Sequence, residues 1–110
     1  MWGLSRSARV FLRPGPTDLR LGFEGLYALA EGQLQQKPLS GHLFVFCNRQ
    51  RTRIKTLFWD GSGLWLCTKR LEQGTFAWPA AGASSEIDAA RLHALIAGLD
   101  IRSERKWFRR

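Results

Sequence analysis

A chain of 110 residues with a hydrophobic share of 45% is the size of one domain with one modest core, and is too apolar for a disordered segment. No apolar run approaches the roughly 20 residues that cross a bilayer, and Met1 to Arg13 lack the apolar stretch of a signal peptide, so a cytoplasmic protein is expected. The formal net charge of +8 favours an anionic partner over a cationic one.

Arg9 to Arg13 reads as a short first strand, with Val10 and Leu12 on one face. Pro14-Gly15-Pro16 stops it, because proline cannot donate to a ladder. Thr17 or Asp18 then caps a helix whose buried stripe is Leu19, Phe23, Leu26, Tyr27, Ala30 and Leu34. Pro38 to Gly41 is a turn. His42 to Cys47 is apolar on both faces and so reads as a central strand. Asn48 to Arg53 is a polar loop, Ile54 to Trp59 the next strand, and Asp60-Gly61-Ser62-Gly63 a hairpin signal. Leu64 to Arg70 returns antiparallel. A turn at Glu72-Gln73-Gly74 leads to a short edge strand, Thr75 to Trp78, which Pro79 ends. Ala80 to Ser85 is a small-residue linker. Ser85 and Asp88 match a capping signal for a second helix with Leu92, Leu95, Ile96 and Leu99 on its apolar face.

The order predicts an α+β fold: a small antiparallel sheet of four to five strands, with two helices packed on one face. Residues 1–101 form the domain and residues 102–110 a basic C-terminal tail. Cys47 and Cys67 fall on strands with a whole strand between them. Non-adjacent strands are about 9–10 Å apart, and a disulfide needs Cα atoms within about 7 Å, so both are expected as reduced, buried thiols.

The charge is concentrated. Arg49, Arg51, Arg53 and Lys55 carry four positive charges with no acid among them. Arg102, Arg105, Lys106, Arg109 and Arg110, against Glu104, supply a net four more, and the remaining charges cancel. Two such patches point to a polyanion, nucleic acid before membrane. Arg49, Arg51 and Arg53 alternate, so an extended loop would direct them one way, and the guanidinium fork suits phosphate oxygens. Lys69, Arg70 and the tail residues Arg105, Lys106, Arg109 and Arg110 extend the footprint. Trp107 and Phe108 interrupt the tail charges, either to stack on bases or to anchor the tail. Trp59, Trp65 and Trp78 read first as core and cross-strand packing, with base stacking as the other use.

Catalytic patterns are lacking. Asp18 and Asp88 read as caps and Asp60 as a turn residue, while Glu104-Arg105-Lys106 lies in the tail without a strand to hold it. The converging acids of a two-metal nuclease are not assembled. Two His and two Cys occur without metal-ligand spacing, His42 reading as a strand-start residue and His93 as a helix-surface one. Ser62 lacks the surroundings of a nucleophile elbow. No cofactor and no metal are expected, and no enzymatic activity.

Longer strings resemble one bacterial mobile-element family. Thr17-Asp18-Leu19-Arg20, Gly22-Phe23-Glu24-Gly25-Leu26, Gly41-His42-Leu43-Phe44-Val45-Phe46 and Trp59-Asp60-Gly61 match its pattern. Lys69-Arg70-Leu71-Glu72, Phe76, Trp78-Pro79 and Gly98-Leu99-Asp100 match it too, in order along nearly the whole chain. The family is the small accessory protein, TnpB, of insertion sequences of the sixty-six family. Leu21, Cys47-Asn48 and Arg51-Thr52 depart from its pattern. The resemblance implies a protein that assists transposition beside a separate transposase carrying the catalytic acids. The expected function is therefore a non-enzymatic accessory that binds DNA, double-stranded before single-stranded, through the basic hairpin loop and tail. The alternative is an interaction module that docks on the element's transposase.

Overall fold

Leu43 to Cys47 present no polar side chain, and all five residues are buried. A strand of that kind must be covered on both faces, and the rest of the fold supplies the two covers. The computed structural model describes residues 8–97. The elements follow as β1 (Val10–Leu12), α1 (Phe23–Gly32), a 3-10 turn at Pro38–Ser40, β2 (Leu43–Cys47), β3 (Arg53–Trp59), β4 (Leu64–Arg70), β5 (Glu86–Ile87) and α2 (Ala89–Ile96). They build one five-stranded sheet in the order β4-β3-β2-β1-β5. The α+β class and the strand count agree with the sequence reading.

Two details differ from it. The sheet is mixed, because β1 and β2 run parallel, with Val10 opposite Leu43 and Leu12 opposite Val45; the other pairs are antiparallel. The cause is the helical connection between them, since a crossover of this length returns the chain to its starting end. The helices also lie on opposite faces instead of one. Leu26 and Ala30 of α1 pack with Phe11, Phe44, Phe46 and Leu57. Leu92 and Leu95 of α2 pack with Val10, Leu12, Leu43, Val45 and Cys47. The strand period of two assigns these sets to the two sides of the sheet.

The helix starts are also displaced from their expected caps. Thr17 is tied into β2 by its N–H, which donates to the Cys47 carbonyl at 2.7 Å, and Asp18 closes a turn by accepting from the Arg20 N–H. Helix α1 therefore begins at Phe23, behind a Gly22 that offers no side-chain cap. Asp88 alone caps α2 by accepting from the Arg91 N–H, while the Ser85 carbonyl accepts from Leu12.

The segment expected as an edge strand, Thr75 to Trp78, forms none; the fifth strand is β5, paired with β1. Phe76 and Trp78 instead plug the α2 side of the core. The Trp78 Nε1–H donates to the carbonyls of Arg13 and Gly15, both at 3.0 Å, so a buried indole keeps its partner. The β3–β4 hairpin is closed by Asp60, which accepts from the N–H groups of Ser62 and Gly63, each at 2.9 Å, and from the Trp65 Nε1–H at 2.7 Å. Those donors hold its carboxyl down at about 2. Gly61, at φ +104°, supplies the left-handed residue this turn requires.

Both cysteines are free thiols, with β3 between their strands. Burial pushes the Cys47 thiol up to about 12, with Arg51 opposing the shift; Cys67 is half-buried at the sheet edge.

The two covers are separate and should be energetically independent. Leu26→Ala and Leu95→Ala, both fully buried positions, should each lower unfolding free energy by about 2–5 kcal/mol. Their double variant should lose close to the sum, since they belong to clusters on opposite faces. Chemical denaturation of the three variants checks this, and strong coupling between the sites would contradict the two-sided arrangement.

Candidate nucleic-acid interface

Parallel pairing puts the C-terminal ends of β1 and β2 side by side. The chain leaving β1 (residues 13–20) and the loop leaving β2 (residues 48–52) therefore emerge at the same end of the sheet. Two backbone bonds hold them there, Arg13 N–H to the Val45 carbonyl and Thr17 N–H to the Cys47 carbonyl. The Arg13 guanidinium braces the first segment by donating to the Pro16 carbonyl, the Thr17 hydroxyl and the Gln33 amide oxygen.

Between the two segments lies a cleft of about 650 Å³, on the α1 side of the sheet. One wall is Pro16 to Arg20. The other is Asn48, Arg49 and Gln50, and Arg53, Lys55 and Thr68 come from the strands. Lys55 stands opposite Phe46 on β2 and Thr68 on β4, in the middle of the α1 face. Its ammonium donates to the Leu21 carbonyl at 3.3 Å, a long single bond that leaves donors to spare.

Asn48 shapes the loop. Its side-chain oxygen accepts from the N–H groups of Thr52 and Arg53, and its amide donates to the Thr52 hydroxyl at 3.1 Å. The Arg51 N–H closes on the Asn48 carbonyl, and Arg51 takes φ +61°. The loop is thus a tight turn, and the alternation expected of an extended strand does not apply. Arg49 and Arg53 line the cleft. Arg51 is not among its lining residues; its backbone carbonyl accepts from the Phe76 N–H at 2.7 Å.

Among the described residues the cleft gathers four cations, Arg20, Arg49, Arg53 and Lys55, against one carboxylate, Asp18, a net of +3. Asp18 and Arg20 pair at 2.8 Å, and the guanidinium holds the carboxyl down at about 2. Arg49 and Arg53 have no carboxylate within ion-pair distance among the described residues. Arg53 also sits directly across from Arg70 on β4, a like-charge pairing that a bound anion would relieve.

The other expected site residues divide. Arg70 is paired with Glu72 at 3.1 Å. Lys69 is on the opposite face, where its ammonium donates to the Ile96 carbonyl at the end of α2, at 2.7 Å. The tail residues Arg102, Arg105, Lys106, Arg109 and Arg110, with Trp107 and Phe108, lie outside the described residues. Arg20 was absent from the sequence-level set. Its clue is the spacing of Asp18 and Arg20, since side chains two apart do not meet on a helix; this pair therefore belongs to a turn facing the cleft.

Asn48 should act on the cleft through shape alone. Asn48→Ala leaves every charge in place but frees two backbone donors and the loop. It should cost about 1–2 kcal/mol of stability, read by thermal or urea melts, and a loss beyond that range would mean a wider role for Asn48.

Three comparisons bear on identity. Residues 8–106 match the family model described as IS66 Orf2 like protein. The uncharacterized protein y4hO of Sinorhizobium fredii is 39% identical over 105 residues, which is 94% of this chain and 91% of that one. A second protein of that organism, y4jC, is 38% identical over 101 residues, 91% of this chain and 86% of its own length. No solved structure matches. With a family match across the sheet, both helices and the cleft, the chain belongs to the IS66 Orf2-like proteins, the accessory proteins of these insertion elements.

Proposed function

We propose that this chain serves transposition as a non-enzymatic DNA-binding accessory, gripping backbone phosphates in the cleft between residues 16–20 and the β2–β3 loop. One observation carries the reading. Among the described residues Arg49, Arg53 and Lys55 converge on a single cleft without a carboxylate partner, whereas Arg9, Arg20 and Arg70 each have one. Surface arginines that serve only solubility have no reason to gather unneutralised around one concavity.

The lining favours one part of a nucleic acid over another as the group to be gripped. Among the described residues no aromatic ring borders the cleft, so they offer no platform for stacking on bases there. Guanidinium and ammonium donors suit phosphate oxygens, which position a protein without reading sequence. A duplex backbone is the natural occupant. Five of the seven described carboxylates already have structural partners: Asp18, Glu72 and Glu86 are ion-paired, Asp60 closes a turn and Asp88 caps α2, while Glu24 and Glu31 stand on α1. Among the described residues no three His, Cys, Asp or Glu side chains gather in a metal-binding group.

Binding should be strongly salt dependent. The three cleft cations without a carboxylate partner predict a log–log slope of about −2.7, steepening to about −5 if contacts elsewhere bring the total to about six. Removing Arg49, Arg53 and Lys55 together should flatten the slope by about 3 and weaken all sequences alike. Arg51→Gly, which keeps the left-handed backbone position, should change it by about 1 at most. Gel shifts at two salt concentrations, on element ends and random DNA, decide the matter. No binding at low salt would overturn the reading and leave the transposase as the partner to test.

The pH response follows from Asp18. Its pKa is depressed from the ordinary 3.8 to about 2. It therefore stays ionised, and the cleft stays at +3, until the pH falls through about 2. Between about pH 8 and pH 5 its protonation should add nothing to affinity, whereas Asp18→Asn should raise affinity throughout by releasing Arg20. A fall in affinity on that substitution would show that Asp18 positions the cleft instead of neutralising it.

A further inference from the structure

The two edges of the sheet differ. β5 is two residues long and β4 is seven, from Leu64 to Arg70. No backbone bond from β4 reaches any described segment beyond β3. Such an edge offers a row of unpaired N–H and C=O groups to another chain. It lacks two of the usual defences: there is no proline, and the register with β3 runs unbroken through all seven residues, without a bulge. Its only charges, Lys69 and Arg70, are at one end.

The strand is also complementary to itself. Set antiparallel about its central residue, two copies bring Cys67 against Cys67, Leu66 against Thr68, Trp65 against Lys69 and Leu64 against Arg70. Trp65 is 52% exposed. It is stacked on Phe58 at 6.1 Å and donates its indole N–H to Asp60 at 2.7 Å. A lysine arriving opposite it meets an aromatic face and, beside that face, a carboxylate. Lys69, which keeps donors beyond its bond to the Ile96 carbonyl, thus meets an aromatic and acidic neighbourhood in the partner, while Arg70, already paired with Glu72, meets Leu64. A parallel, in-register pairing would instead oppose lysine to lysine and arginine to arginine, which is unfavourable.

We propose that β4 is a dimerisation edge, occupied by the β4 of a second copy of this chain in antiparallel register centred on Cys67. The result is one ten-stranded sheet. The two-fold axis of such a pairing is perpendicular to the sheet, so both α1 faces look the same way. Two basic clefts then open on one side of the dimer. The dimer does not depend on what the clefts bind.

Mass and cross-linking test it together. Light scattering should give a mass near 25 kDa, twice the 12.5 kDa of one chain. Opposed residues of an antiparallel pair lie about 4.5–5.5 Å apart at Cα, within disulfide reach. Mild oxidation should therefore join two chains through Cys67, and Cys67→Ser should abolish the link while Cys47 remains reduced. Trp65→Lys opposes lysine to Lys69 twice and should yield monomers. The double variant Trp65→Lys, Lys69→Glu should restore the dimer, which separates lost pairing from a misfolded edge. A monomer at every concentration, including one whose β4 amides are protected from exchange by the chain's own C-terminal residues, overturns the proposal. So does a dimer that survives Trp65→Lys or does not cross-link through Cys67.

Discussion

The burial of β2 on both faces is the constraint from which the rest of this molecule follows. Five consecutive apolar residues, Leu43 to Cys47, leave no side of the strand for water. One helix cannot cover two faces. The chain meets this by sending α1 over one side between β1 and β2, and α2 over the other after β5. Each buried leucine on these helices contributes about 1.5–3 kcal/mol, so both covers matter comparably.

The same arrangement creates the cleft. A helical crossover makes β1 and β2 parallel, and parallel neighbours release their following segments at one end of the sheet. In α/β sheets that end, beyond the strand C-termini, is where ligands commonly bind. Here it collects Arg20 from one segment and Arg49 from the other, over Arg53 and Lys55 from β3. An antiparallel β1–β2 pair would have put residues 13–20 at the far end, leaving the loop arginines as a solvated hairpin tip.

The polar chemistry of the described residues is largely devoted to shape. Asn48 folds the basic loop, Asp60 folds the opposite hairpin, Arg13 braces the crossover, and Asp88 starts α2. Against this background the cations left without carboxylates stand out. Among the described residues, their concentration on the α1 face, and a β4 edge that pairs only with β3, give the molecule a direction: one charged face and one flank without a neighbouring strand.

Much of this was legible in the chain. Alternation, the Asp-Gly turn and the all-apolar run identified β1 to β4, and the charge count located Arg49, Arg53 and Lys55. These signals depend on neighbours in sequence, or on composition. What depended on distant neighbours was not legible. Thr17 and Asp18 look like helix caps, yet β2 and Arg20 claim them. Thr75 to Trp78 looks like a strand, yet Phe76 and Trp78 are buried in the same core cluster as Leu92 and Leu95 of α2. Arg51 matches its loop neighbours in type, but a left-handed turn aims it elsewhere. The sequence by itself determined β1 to β4, the presence of two helices and the family, because these are written in periodicity and motif. Only the tertiary structure decided which faces the helices take and which cations share a cleft, because parallel pairing and loop closure bring together residues that no local pattern links.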